Sequence, residues 1–325
     1  MPGKRKFEEQ LAALEALRDA PEQTRIEGLR KALANRNNFV VAKAADLART
    51  FQLTALIADL LAAFDRFFEN ADKNDPQCWA KNAISRGLAA FEHQDANVFL
   101  RGMKHIQMEP VWGGSSDTAG TLRATCALAL VQCRSLGENE LLGDLIDLLG
   151  DTDKAVRTEV VRAIEMVNSP AAALLLRERA VLGKDEPEVL GACYGGILRI
   201  EGMKAIPWVS RFLTNGDDAA GEAALAIAAT HSTEGFHALR NALQNALDPW
   251  FRSVLLSAIA LTRQDAALDF LLDLAGKDSR DAGDALDAIV RARPSDDIML
   301  RLQKVVSGNV RLERQLAMSR RNPSR

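Results

Sequence analysis

The chain has 325 residues, a formal net charge of −3 and 5% aromatic residues. A single ordinary core rarely grows beyond about 250–300 residues, and no stretch rich in Pro, Gly or Ser marks a linker, so the composition favours an architecture that grows in one direction. No segment has ~20 uninterrupted apolar residues and the basic first residues lack an apolar segment behind them, so we expect neither a membrane span nor a signal peptide.

Apolar spacing predicts helices along the whole chain, arranged in pairs. The N-terminal capping region is 1–22, with a helix near 7–19, and the repeats occupy 23–293. First helices of the pairs are predicted near 24–34, 53–69, 95–107, 138–149, 169–182, 203–214, 233–245 and 264–275. Second helices are predicted near 38–50, 76–91, 117–133, 153–167, 187–200, 217–230, 249–262 and 279–292. A C-terminal capping helix in 294–310 and a basic tail, 311–325, complete a single predicted domain without a sheet.

Capping residues mark several of these helix starts. Ser169 is followed by Pro170, which combines a hydroxyl N-cap with proline at the first helical position. Asp-Pro pairs at 75–76 and 248–249 precede second helices, and a tryptophan follows each pair. These signals predict where the chain turns from one helix into the next.

Hydrophobic anchors recur along the chain at intervals of 34, 33, 31, 31 and 31 residues. They are Leu122, Val156, Val189, Ala220, Phe251 and Ala282. A period of roughly 20 to 50 residues is typical of stacked supersecondary units, because one unit alone cannot bury its apolar face. The period therefore predicts a repeat array and argues against most enzyme folds.

The repeat pattern resembles the HEAT-repeat family, especially its short bacterial members. The signature is Asp, two variable residues, Val-Arg, two variable residues and small apolar pairs, and Leu122-Arg123, Val156-Arg157 and Phe251-Arg252 meet its anchor-plus-Arg part. The resemblance implies a right-handed α-solenoid, a HEAT-like superhelix of about eight antiparallel helix pairs. It also implies that these arginines bond to acids in the adjacent inter-repeat turn, and that second helices line a concave groove.

Four cysteines indicate a reducing compartment. They form no CxxC pair and no histidine lies at metal-ligand spacing from them. Cys126 and Cys193 take the same repeat position as Val160 and Leu255, so we expect all four side chains to be buried. The expected location is the bacterial cytoplasm, and neither a cofactor nor a metal is expected.

Candidate partner-binding residues follow from the groove that the resemblance implies. The charged and aromatic ones selected there are Glu159, Arg162, Glu188, Glu222 and Trp250. Trp112 lies in the irregular segment 108–119, where its ring is either a binding anchor or packed on a neighbouring repeat. The glycines that follow it are a weak signal for an anion site.

These observations favour a noncatalytic scaffold that binds another protein through the concave face, with a basic or helical segment as its partner. No catalytic constellation stands out. Residues 135–290 carry 25 acids against 14 basic residues, which disfavours a nucleic-acid groove. Two alternatives remain open: a bilin-lyase-like or chaperone activity, and a HEAT-type DNA glycosylase.

Overall fold

A computed structural model describes residues 2–277 and 279–321 of the chain. Apart from turns and one β-hairpin, these residues are helical, which confirms the all-α class. The chain forms two compact units, here called unit 1, which ends at Val167, and unit 2, which begins at Asn168.

Unit 1 contains ten helices among its described residues and the hairpin. The helices are α1 Pro2–Ala16, α2 Glu22–Leu33, α3 Asn38–Thr50, α4 Ile57–Arg66, α5 Ala71–Asn74, α6 Trp79–Ala90, α7 Ala96–Met103, α8 Gly120–Leu130, α9 Glu138–Leu148 and α10 Lys154–Val167. The strands are β1 Met108–Val111 and β2 Gly114–Asp117, and 3₁₀ turns span Thr54–Leu56 and Pro76–Cys78.

The second helices of unit 1 pack in chain order: α3 contacts α6, α6 contacts α8 and α8 contacts α10. Each of these second helices also packs against the first helix of its own pair, as α8 does against α7. Large side chains such as Phe64, Phe99 and Ile84 are fully buried between them. Burial of this apolar surface is the main stabilising contribution to such a helix layer.

Unit 2 repeats the arrangement. Its helices are α11 Pro170–Leu182, α12 Pro187–Glu201, α13 Ile206–Val209, α14 Asp218–Ala228, α15 Thr233–Asn245, α16 Pro249–Leu261, α17 Asp265–Ala275, α18 Ala282–Arg291, α19 Asp296–Val306 and α20 Val310–Arg321. The 3₁₀ turns Gly202–Ala205 and Ser210–Thr214 flank α13. Contacts run from α12 to α14, α16, α18 and α20 in turn.

The expected arginine bridges are present in both units. Arg123 Nε donates to Asp151 Oδ2 at 2.7 Å, and Arg252 Nε donates to Asp281 Oδ1 at 2.9 Å. Each aspartate lies in the turn before the next second helix, so the prediction from the repeat signature is confirmed for these two residues. Bidentate pairs of this kind fix the register of adjacent repeats.

The buried repeat positions are confirmed as well. Cys126, Val160, Cys193 and Leu255 are all fully buried. Burial raises the pKa of the Cys126 and Cys193 thiols to about 12, so both behave as small apolar side chains.

Three expectations about local structure need correction. The prediction that the chain has no sheet is wrong, because β1 and β2 pair within 108–117 and α8 starts only at Gly120. The helix predicted over 203–214 is broken into two 3₁₀ turns around the four-residue α13, which contains Pro207. Most of the basic tail 311–325 is the helix α20, which buries Leu312 and Leu316; residues 322–325 lie outside the described part of the chain.

In the described part of the chain, a left-handed residue other than glycine follows six of the second helices within three positions. These residues are Gln52, Glu92, Asn168, His231, Arg263 and Arg293. After α3 and α6, the residue that follows the left-handed one donates its backbone N–H to the carbonyl five residues earlier. These bonds run from Leu53 N to Ala48 O and from His93 N to Leu88 O, both at 3.0 Å. This is the Schellman ending of a helix, which satisfies carbonyls that would otherwise lack a partner.

Candidate binding surfaces

The hairpin between α7 and α8 carries Trp112 at its tip. Met108 pairs with Asp117 and Val111 with Gly114, which leaves Trp112 and Gly113 as the two turn residues. Gly113 has φ +88°, a conformation that glycine adopts without strain and that the second central position of a type II turn requires. The turn geometry therefore places Trp112 beside Gly113 at the tip of the hairpin.

Trp112 is 103% exposed, as much as in an extended peptide. The interpretation in which its ring packs on a neighbouring repeat is therefore wrong. Ile106, Met108 and Val111 are also exposed, and we call these three side chains together with Trp112 the hairpin surface. Single exposed apolar residues are common, whereas four within the seven residues 106–112 concentrate apolar surface on one short segment, as at interaction sites.

The hairpin is held to the helices below it by Glu109, the inward-facing residue of β1. Its Oε1 atom accepts hydrogen bonds from Thr118 Oγ1 at 2.6 Å, from the backbone N–H of Gln77 at 2.6 Å and from Gln107 Nε2 at 2.7 Å. Burial by itself would raise the pKa of Glu109, but these bonds outweigh it and hold the pKa below its ordinary value. The carboxylate thus stays ionised and keeps its three donors.

Asp117 anchors the second strand in the same manner. Its carboxylate accepts from the backbone N–H groups of Gln107 at 2.9 Å and Ala119 at 3.0 Å, and from Arg123 Nη1 at 2.6 Å. Burial raises the pKa of Asp117, and the three bonds more than reverse that effect, so the pKa lies below its usual range. Because Arg123 also bridges to Asp151, the hairpin is tied to the repeat register of α8 and α10.

A buried ion pair lies beneath the hairpin. Lys81 and Asp75 are both 0% exposed, and Lys81 Nζ lies 3.1 Å from Asp75 Oδ2. The ammonium also donates to Phe67 O at 3.1 Å and to Gln107 Oε1 at 3.0 Å, so two hydrogen bonds support the ion pair. Gln107 Nε2 donates in turn to Asp75 O at 2.8 Å. A fully satisfied buried network of this kind rigidifies its surroundings.

The backbone beside this network is strained. Gln77 and Cys78 are consecutive residues with φ of +60° and +53°, a region that costs a non-glycine residue roughly 1–2 kcal/mol. The conformation points the Gln77 N–H at Glu109 and the Cys78 thiol at Gln107 Oε1, 3.2 Å away. Burial raises the pKa of Cys78 to about 12, so its sulfur is a thiol and not a nucleophilic thiolate.

The predicted residues of unit 2 lie along one strip of second helices. Glu188, Glu222 and Trp250 belong to α12, α14 and α16, which contact one another in that order. Glu222 packs on Gly191, where a Cβ atom would lie 2.5 Å from Glu222 Oε2, and the Trp250 ring lies 3.6 Å from the Cβ position of Gly221. The absence of side chains at these glycines makes room for the acid and the indole.

Charge and exposure differ along this strip. Burial, and then the charge of Glu188, raise the pKa of Glu222 above its ordinary value. Trp250 is 48% exposed, so part of its ring is open to solvent. We call Glu188, Glu222 and Trp250 the acidic strip.

Glu159 and Arg162 lie in unit 1, on α10. They form an ion pair with each other at i,i+3 spacing, with Arg162 the more exposed of the two. An exposed pair of this type contributes at most about 1 kcal/mol. The pairing leaves less free charge at these two positions than the sequence alone indicated.

No protein-family model matches this sequence, and no curated protein matches it either. Within the described residues, no group of three or more His, Cys, Asp or Glu side chains has the geometry to hold a metal ion. The helices described are also too short or too polar for any of them to span a bilayer.

Proposed function

We propose that this chain is a noncatalytic scaffold that binds another protein, with the hairpin surface as its principal anchor. The observation that carries the proposal is the full exposure of Trp112 on an element that two carboxylates tie to the helices. Tryptophan is among the residues that most often dominate binding energy at interfaces. A rigid element loses little conformational entropy when it binds, which favours affinity.

The proposal includes a HEAT-like right-handed α-solenoid of about eight helix pairs in a reducing cytoplasm. Contacts between successive second helices within each unit support it, as do the Arg123–Asp151 and Arg252–Asp281 bridges. Free cysteines at 78, 126, 133 and 193 agree with the compartment.

The acidic strip is the second contact region in this proposal. Two carboxylates beside a half-exposed indole suit a basic or helical segment of the partner, and the negative potential would speed its association. Because the pKa of Glu222 is raised, this side chain is fully ionised only at a pH above the range in which glutamate ordinarily titrates, and the acidic strip is most negative there. Binding through this strip should therefore weaken as the pH falls.

Replacement of Trp112 by alanine tests the anchor. A photo-reactive phenylalanine at the exposed Ser115 of β2, which leaves Trp112 in place, first identifies the cross-linked partner in a lysate, with the same probe at the exposed Leu174 of α11 as a control. Trp112→Ala should then weaken binding of that purified partner by about 2 kcal/mol, or ~30-fold in Kd. Leu174→Ala removes an exposed apolar side chain of unit 2 and should leave Kd within about twofold.

Two results would contradict the proposal. One is an unchanged Kd for a folded Trp112→Ala protein, and the other is a partner that leaves the complex with an altered mass, since that would indicate catalysis. Glu188→Lys with Glu222→Lys addresses the acidic strip separately. A basic partner should lose affinity in that double variant, and the loss should shrink at high salt.

A further inference from the structure

Unit 2 has a groove beside its first helices. It lies between the segment 202–214 and α15, and its volume is about 840 Å³, within the range of ligand-binding pockets. Met203, Ile206 and Leu213 contribute one apolar wall. None of the residues of the hairpin surface or of the acidic strip lines it.

Local backbone structure explains why the groove exists. The segment 202–214 forms only the four-residue α13 between two 3₁₀ turns, whereas α15 on the other side is a regular helix of 13 residues. Ala238, Ala242 and Ala246 line the groove from α15 and the residue after it, at a spacing of four. Small side chains at this spacing leave a continuous apolar floor along one face of the helix.

The polar rim of the groove matches a peptide backbone. Asn215, Asn241 and Asn245 line it, and each side-chain amide offers both a donor and an acceptor, as a peptide unit does. Asn245 Nδ2 donates to Asn241 O at 3.1 Å, and the Asn241 side chain itself bonds to no other group of the described residues. Asn241 is exposed and can therefore bond a ligand without giving up an internal bond.

The charges of the lining are of one sign and lie at opposite ends of α15. Glu234 is in the first turn of the helix and Asp248 follows its last turn, while no Lys or Arg is among the lining residues that the structure describes. With a rise of 1.5 Å per residue, the helix from Glu234 to its end at Asn245 is roughly 17 Å long, and Asp248 lies three residues beyond that end. That length corresponds to about five residues of extended chain at ~3.3 Å each.

From this lining we infer that the groove binds an extended segment of a partner protein that has small apolar side chains and a Lys or Arg at its ends. The apolar side chains would lie on the alanine floor, the peptide backbone would bond the asparagine amides, and the basic ends would face Glu234 and Asp248. Recognition of an extended segment through its backbone gives affinity, while the pockets for side chains give specificity.

Panning of phage-displayed random heptapeptides against the full chain tests this inference. The selected peptides should combine small apolar residues with Lys or Arg, and a fluorescent synthetic copy should bind the purified protein. Ala242→Trp fills the floor and should abolish binding, and Asn241→Ala should weaken it by about tenfold. The matched control is Gln244→Ala, an exposed amide of α15 that does not line the groove and should have no effect.

Several outcomes would overturn the inference: selection of no peptide, selection of peptides without basic residues, or binding that survives both Ala242→Trp and Asn241→Ala. Asn241→Ala changes an exposed side chain, so it remains informative even if the tryptophan variant fails to fold. Trp112→Ala should leave peptide binding unchanged, which keeps this test separate from that of the hairpin anchor.

Discussion

Substituting methionine for Lys81 removes a buried ammonium and keeps an unbranched apolar stem. The change deletes two hydrogen bonds, to Phe67 O and Gln107 Oε1, and the ion pair, which leaves the Asp75 carboxylate without a counter-charge. Removing one partner of a buried ion pair typically costs about 3–5 kcal/mol. Asp75 keeps bonds from the backbone N–H groups of Ala80 and Lys81, so we expect about 3 kcal/mol.

Urea unfolding of the full chain, followed by circular dichroism, measures this loss, with hydrogen exchange across 107–118 as a local readout. Exchange in the hairpin should accelerate, because Gln107 loses one of the contacts that position it. Lys31→Met, at an exposed lysine of α2, serves as the control and should change stability by less than about 0.5 kcal/mol.

A double variant distinguishes the effect of losing the ion pair from the effect of changed side-chain packing. Asp75→Asn combined with Lys81→Met should be less destabilised than the sum of the two single variants, because the second change removes the orphaned charge that the first one leaves. Additive effects, or a loss below about 1 kcal/mol in Lys81→Met, would refute the assignment of this pair as the support of the hairpin.

Two further predictions concern unit 2. Leu255→Ala, at a fully buried position of α16, should lower the free energy of unfolding by about 2–5 kcal/mol, as measured in urea. Leu261→Ala, at the exposed end of the same helix, should lower it far less. Equal losses would mean that the repeat register is wrong. Because the folded pKa of Glu222 is raised, its ionisation penalises the folded state once the pH exceeds both the unfolded and the folded pKa. Glu222→Gln should therefore raise the melting temperature at pH 7 and have little effect at about pH 3, below the ordinary glutamate range; an equal shift at both pH values would exclude the electrostatic explanation.

The helices were predictable because periodic apolar residues and caps are local signals. Ser169 caps α11 by accepting from Ala172 N at 3.2 Å, and Asp248 caps α16 by accepting from Phe251 N at 2.9 Å, as their sequence contexts predict. The burial of Cys193 followed from the repeat register, and the bridge from Arg252 followed from the resemblance to HEAT repeats. These features depend on residues within one or two turns of helix, or on a spacing that recurs.

The hairpin support was not predictable in the same way. Lys81 and Gln107 are 26 positions apart, and nothing in the pattern around either residue indicates that they meet in a buried network. Trp112 was identified from its glycine-rich context, but its exposure depends on bonds made by Glu109 and Asp117 to distant backbone groups. The helix α20 had a local signal, the i,i+4 pair Leu312 and Leu316, which the surrounding arginines obscured.

The left-handed residues after the second helices bear on how this chain can change in evolution. Their φ values are set by the helix ending and its backbone bonds, and the side chains present include glutamine, glutamate, asparagine, histidine and arginine. A turn specified by main-chain geometry accepts many side chains at an energetic cost of roughly 1–2 kcal/mol each relative to a right-handed conformation. Substitutions can therefore accumulate at repeat boundaries while helix packing is preserved. Glycine at these positions would avoid the cost of the left-handed conformation and so stabilise the protein.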